Sequence, residues 1–202
     1  MASFADKPVL FFTSAEQWRD FLEADPPDEG IRLQLRKKTS SAPGITWQEA
    51  VDVALCYGWI DGQAGRFDDD YTLQAFTPRR KNSPWSQINQ GHVARLIEAG
   101  LMRPAGQAEI DRAKADGRWD AAYRQKDHAP PADLQAALDA SPAASAKWAT
   151  LTKQNSFAIV FRITSVKRAE TRARKIGEYV AMLERGETIY PQKDSPRRQE
   201  QA

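Results

Sequence analysis

Cysteine and histidine are almost missing from this 202-residue sequence, and that scarcity removes whole classes of chemistry. A single cysteine, Cys56, excludes an internal disulfide and any multi-cysteine zinc site. His92 and His128 are the only imidazoles, too few for a conventional metal centre, so neither metal nor cofactor is expected. No apolar run approaches the roughly 20 residues that cross a bilayer, so no integral membrane segment is expected. The opening stretch MASFADKPVLFFTSAEQW sets Asp6 and Lys7 where a secretory signal has a basic start and a longer apolar run. A cytoplasmic location is the expectation. Charge of one sign is not in large excess either, the net being +2. Residues 1–125 hold 16 Lys/Arg against 18 Asp/Glu, and residues 126–202 hold 13 against 9. That basic bias is well short of a nucleic-acid footprint, and nucleic acid is not an expected partner.

What remains has the balance of a globular chain, 41% hydrophobic and 28% charged. TSAEQWRDFLEA (13–24) carries a capping box, Thr13 with Glu16 or Ser14 with Gln17, and apolar residues Trp18, Phe21 and Leu22 at helical spacing. IRLQLRKK alternates Ile31, Leu33 and Leu35 with polar partners, as a half-buried strand does, with Lys37 and Lys38 at its end. TWQEAVDVALCYG predicts a helix stopped by Gly58. WIDGQAGRFDDDYTLQAFTPRR predicts a β-hairpin turning at Asp68–Asp70. A three-residue loop would set Phe67 opposite Tyr71, Asp61 opposite Thr77 and Trp59 opposite Arg79, gathering Trp59, Asp61 and Arg79 on one face. A one-residue slip would undo that cluster. Ser83-Pro84 reads as a helix start, with serine as N-cap and proline at the first position. PAGQAEIDRAKADG is a further helix, and QKDHAPPA (125–132) reads as a linker containing His128. Beyond it everything reads as helical, including NSFAIVFRITSV, whose β-branched run also suits a strand. AETRARKIGEYVAMLERG has the clearest stripe, Ile176, Tyr179, Val180 and Leu183. The expected class is α+β. A small antiparallel sheet with packed helices fills residues 1–125, a helical subdomain residues 126–190, and a disordered tail residues 191–202.

The sharpest candidate site is Trp59, Asp61, Arg79, Arg80, Ser83, Trp85, Ser86 and Asn89. Two arginines just before a helix N-terminus, with hydroxyls and an indole beside them, suit a phosphate or carboxylate. The same residues admit an architectural reading, in which Asp61 pairs with Arg79 and Ser83 merely caps. A hydrolase or transferase reading would use His92 as general base, but no local motif sets a base within hydrogen-bond reach of a nucleophile such as Cys56. Cys56 reads as a small buried hydrophobe, and the aspartates 68–70 lack the spacing of a calcium loop. A second candidate is a basic face, Arg168, Arg172 and Lys175, at positions i, i+4 and i+7. It suits phosphates or an anionic surface, or is simply a solvated helix side.

Four stretches taken together, ALCYGWIDG, FTPRRKNSPWSQIN, LIEAGLMRPAGQAEIDRAKADGRW and AETRARKIGEYVAMLERGE, resemble the bacterial YdeI/OmpD-associated, or bacteriocin-protection, family over residues 8–190. The resemblance implies a role in tolerating bacteriocins or cationic antimicrobial peptides, and in one branch an association with an outer-membrane porin. It brings no catalytic residues and no cofactor. The partner it leaves open is a small anionic ligand or another protein.

Overall fold

The computed structural model describes residues 3–124, 129–166 and 168–192. His128, most of the stretch read as a linker, and residues 193–202 lie outside them. The chain divides into two units, 1–124 and 125–202.

In the first unit the order is β1 (Val9–Phe11), α1 (Ala15–Glu23), β2 (Ile31–Arg36), α2 (Trp47–Cys56), β3 (Trp59–Arg66), β4 (Tyr71–Pro78), α3 (Gln87–Glu98) and α4 (Pro104–Ala115). The strands form one sheet in the order β1-β2-β4-β3. The class is α+β as expected. The sheet is mixed because β1, only three residues long and without a readable alternation, runs parallel to β2. On β2 the alternation holds fully: Ile31, Leu33 and Leu35 are buried. They join Trp18, Ala50, Leu55, Trp59 and Phe76 in the main core. Trp18 is fully buried because its indole N–H finds the Ala50 carbonyl at 3.1 Å, which satisfies the one polar atom of the ring. Thr46 and Glu49 make the reciprocal capping box that starts α2.

The hairpin departs from its expected register at one point. Near the turn Arg66 faces Thr72, which agrees with a three-residue loop, and Asp68 Oδ1 accepts the N–H groups of Asp70 and Tyr71 to shape it. Between Asp61 and Ala64 the ladder shifts, so that Asp61 lies opposite Phe76, not Thr77, and Trp59 opposite Pro78. Gly62 and Gln63 together face Ala75, a β-bulge that no alternation of apolar residues announces. The freed Gly62 carbonyl accepts the buried Gln74 side-chain amide at 2.6 Å.

The second unit is helical: α5 (Ala132–Asp139), α6 (Pro142–Trp148), α7 (Lys153–Thr164) and α8 (Ala169–Glu184). The ambiguous β-branched run is α7, whose Ile159, Val160 and Ile163 enter a separate core with Leu134, Leu138, Ile176 and Leu183. Asn155, 1% exposed, ties the end of this unit down: its Nδ2 donates to the Tyr190 carbonyl and Gln192 Oε1, and its Oδ1 accepts the Tyr190 N–H. Among the described residues no helix is long and apolar enough to cross a membrane.

Candidate functional site

The segment after β4 is governed by Arg79, the next residue in the chain. Its backbone N–H extends the hairpin by donating to the Gly58 carbonyl at 2.9 Å. Its side chain is 6% exposed, and the guanidinium carbon sits 3.6 Å from the centroid of the Trp85 ring. Nη1 donates to the Pro84 carbonyl at 3.2 Å, while Nε and Nη2 are buried with no hydrogen-bond partner. Trp85, 2% exposed, likewise has an unsatisfied indole N–H, so three unmatched donors lie on two stacked side chains. Burial pushes the guanidinium down to about 10, opposed chiefly by the negative potential of Glu109. Buried donors of this kind are normally matched, and a charged one left unmatched is costly.

Asp61 does not pair with Arg79. Its Oδ2 accepts the Trp47 indole N–H at 3.3 Å, and burial raises its carboxyl above the usual range. The bulge is the physical reason: it shifts Asp61 one residue along the ladder relative to the register that would have aligned the two. Trp59 is core, edge-on to Trp18 at 6.1 Å.

Ser83 and Ser86 exchange the roles read from the sequence. Helix α3 starts at Gln87, and its N-cap is Ser86, whose Oγ accepts the Asn89 N–H at 3.1 Å. Ser83 Oγ instead accepts the Arg80 N–H, closing a tight turn. The helix cannot begin earlier because Trp85 and Ser86 are held extended by Tyr123: the Tyr123 N–H donates to the Trp85 carbonyl, and the Gln87 N–H to the Tyr123 carbonyl, both at 3.0 Å. Arg80 is exposed, and Asn89 is half-buried on the first turn of α3.

The sequence reading missed Trp119, Tyr123 and Arg118. The Trp119 ring lies 4.9 Å from Trp85, and Arg118 donates to the Ser83 carbonyl at 2.8 Å. Tyr123 is raised above the usual phenol range by burial and hydrogen-bonds Ser86. These groups come from some 35 residues downstream, and no local pattern links them to the arginine pair. The aromatic content of the GRW-x-x-x-Y stretch was the one available signal.

His92 stands apart from Arg79's donors. Its Nδ1 lies 3.4 Å from Asp52 Oδ1 and within 3.1 Å of Gln48 Nε2, in a network that also takes in Arg95. No group of three or more His, Cys, Asp or Glu among the described residues is placed to hold a metal. In the second unit Arg172 is a bracket: Nε and Nη2 donate to both oxygens of Asp133 at 2.6 and 2.9 Å, and Nη1 to the Ile163 carbonyl. Arg168 is exposed at the N-cap of α8, and Lys175 is half-buried.

Residues 128–186 match the family model described as bacteriocin-protection, YdeI or OmpD-associated. That match covers 59 of the 202 residues. The matched segment lies within the helical second unit and closes just short of the residues that Asn155 holds. Residues 10–109 match a separate model, a domain of unknown function (DUF8412), and the GWIDG and TPRR motifs fall within it. No curated protein and no solved structure matched the chain.

Proposed function

We propose that this is a cytoplasmic protein of bacteriocin or antimicrobial-peptide tolerance that acts by binding, with an anion-accepting site in its first unit centred on Arg79. What supports the reading is one observation: an arginine only 6% exposed, yet left with two buried, unmatched guanidinium nitrogens beside an unmatched indole N–H. A carboxylate or phosphate would satisfy all three, and the planar fork of arginine suits two-point recognition of either. The indole face holds the fork in place, and exposed Arg80 adds a second positive charge next to it. The tolerance role is brought from the family description of the second unit.

A second reading is architectural, because the same guanidinium also bridges the Trp85 ring and the Pro84 carbonyl. A thermal-shift titration with inorganic phosphate, citrate and a sugar phosphate separates the two. An anion at about 100 times its Kd adds about 2.7 kcal/mol of stability. Binding predicts a shift in wild type that disappears in a folded Arg79→Met protein. No shift with any anion would return Arg79 to the architectural role.

A further inference from the structure

The first unit also holds a cleft none of whose lining residues belongs to the cluster around Arg79. Four segments of the first unit (α1, α2, α3 and the loop after α3) enclose an open cleft of about 150 Å³. Its apolar wall is Val53, Leu96 and Leu101, the last 53% exposed. A cavity of this size is enough for a six-carbon ring.

Its polar groups are not equivalent. Asp52 Oδ1 is already engaged by Arg95 Nη2 at 2.7 Å and by Gln48 Nε2 at 2.9 Å. Arg103 is held by the Tyr57 hydroxyl at 3.3 Å and by Glu23 at 3.7 Å. Arg19, half-buried on α1, also lines the cleft and has no hydrogen-bond or ion-pair partner among the described residues. Cys56 completes the floor, and burial pushes its thiol up to about 11, so the sulfur stays neutral and acts as apolar surface. One unengaged cation therefore faces a small apolar chamber whose other charges are internally neutralised.

We infer that this cleft binds a small monocarboxylate with a benzene-sized apolar body, its carboxylate on Arg19 and its body against Val53, Leu96 and Leu101. The geometry selects against both alternatives nearest to it. A multiply charged anion such as phosphate has nothing to place on the apolar wall, and a neutral aromatic leaves the Arg19 guanidinium uncompensated where it is being desolvated.

The test is a methyl-resolved NMR titration of the full chain with benzoate, and in parallel with benzamide, which has the same shape without the charge. Saturable shifts at Val53, Leu96 and Leu101 methyl groups are expected with benzoate, with at least tenfold weaker binding of benzamide. Arg19→Gln should reduce benzoate to the benzamide level, while Arg79→Met leaves the titration unchanged, which keeps this site distinct from the anion site proposed above. Equal affinity for benzoate and benzamide in wild type, or no saturable shift at those methyls in the millimolar range, overturns the inference without reliance on any variant. Loss of benzoate binding in Arg79→Met would also overturn it.

Discussion

Replacing Arg79 by methionine is the most informative perturbation, because opposing magnitudes can be set against each other beforehand. The guanidinium is pushed down to about 10 by burial. At about 1.4 kcal/mol per pKa unit this corresponds to roughly 3 kcal/mol of cost carried by the folded state at neutral pH. Methionine removes that cost and fills much of the same volume. It also gives up the stacking on Trp85, worth up to about 2 kcal/mol for a desolvated cation–π pair. The hydrogen bond to the Pro84 carbonyl goes too, about 1 kcal/mol net. The sum is close to zero, so Arg79→Met should sit within about 1 kcal/mol of wild type, a melting shift of about 3 °C or less. Five of the six tryptophans, at 18, 47, 59, 85 and 119, lie in the first unit, so tryptophan fluorescence during urea or thermal unfolding reports on the right part of the chain. The sign with pH is fixed. A depressed folded-state value means the cost holds at every pH below about 10 and is relieved as pH rises beyond it, so the mutant loses ground to wild type there. A loss of 3–5 kcal/mol, the usual consequence of breaking a buried ion pair, would refute the reasoning and show that the arginine is matched after all.

Three further outcomes are expected. Asp61→Asn should stabilise the first unit at neutral pH: burial raises the Asp61 carboxyl, so its ionised form carries a cost above that raised value that fades as pH falls through it. Melting temperatures of the pair measured from pH 7 to pH 3 should therefore converge at the acid end, and a gap that widens there would contradict the assignment. Ser86→Ala should cost about 1 kcal/mol through the lost N-cap, whereas Ser83→Ala, which loses only a turn contact, should stay within about 0.5 kcal/mol by the same denaturation assay. In the second unit Arg172 holds the Asp133 carboxyl below the usual range, a contribution present above the ordinary aspartate value and lost as pH falls through the depressed one. Asp133→Asn should flatten that acid limb in helix-detected circular dichroism, and an unchanged limb would place the acid sensitivity elsewhere.

The parts of this fold that were legible in the sequence are those dictated by short-range pattern. The β2 alternation, the Thr46–Glu49 capping box and the α8 stripe each depend on residues within a turn or two of one another. β1 was invisible because three residues cannot display a period and its stability comes from pairing with β2. The N-cap of α3 was misplaced by three residues because both Ser83 and Ser86 have the right chemistry. Only Tyr123, 37 residues beyond Ser86, decides which one opens the helix. Around the candidate site the sequence pointed to Arg79 and Trp85 but supplied an aspartate as partner that the bulge displaces. The α7 run shows the complementary limit: β-branched residues with no neighbours specified suit either element, and burial on one helical face settles it.

The bulge at Gly62–Gln63 turns a local miscount into a property of the whole hairpin. One surplus residue on β3 is absorbed without loss, since the Gln74 amide takes up the Gly62 carbonyl. An unbulged ladder of the same residues would set Asp61 opposite Thr77, on the strand face that leads to Arg79; the bulge sets it opposite Phe76, on the alternate face. The separation of Asp61 from Arg79 is thus a matter of arithmetic between two strands: eight residues, Trp59 to Arg66, face seven, Thr72 to Pro78.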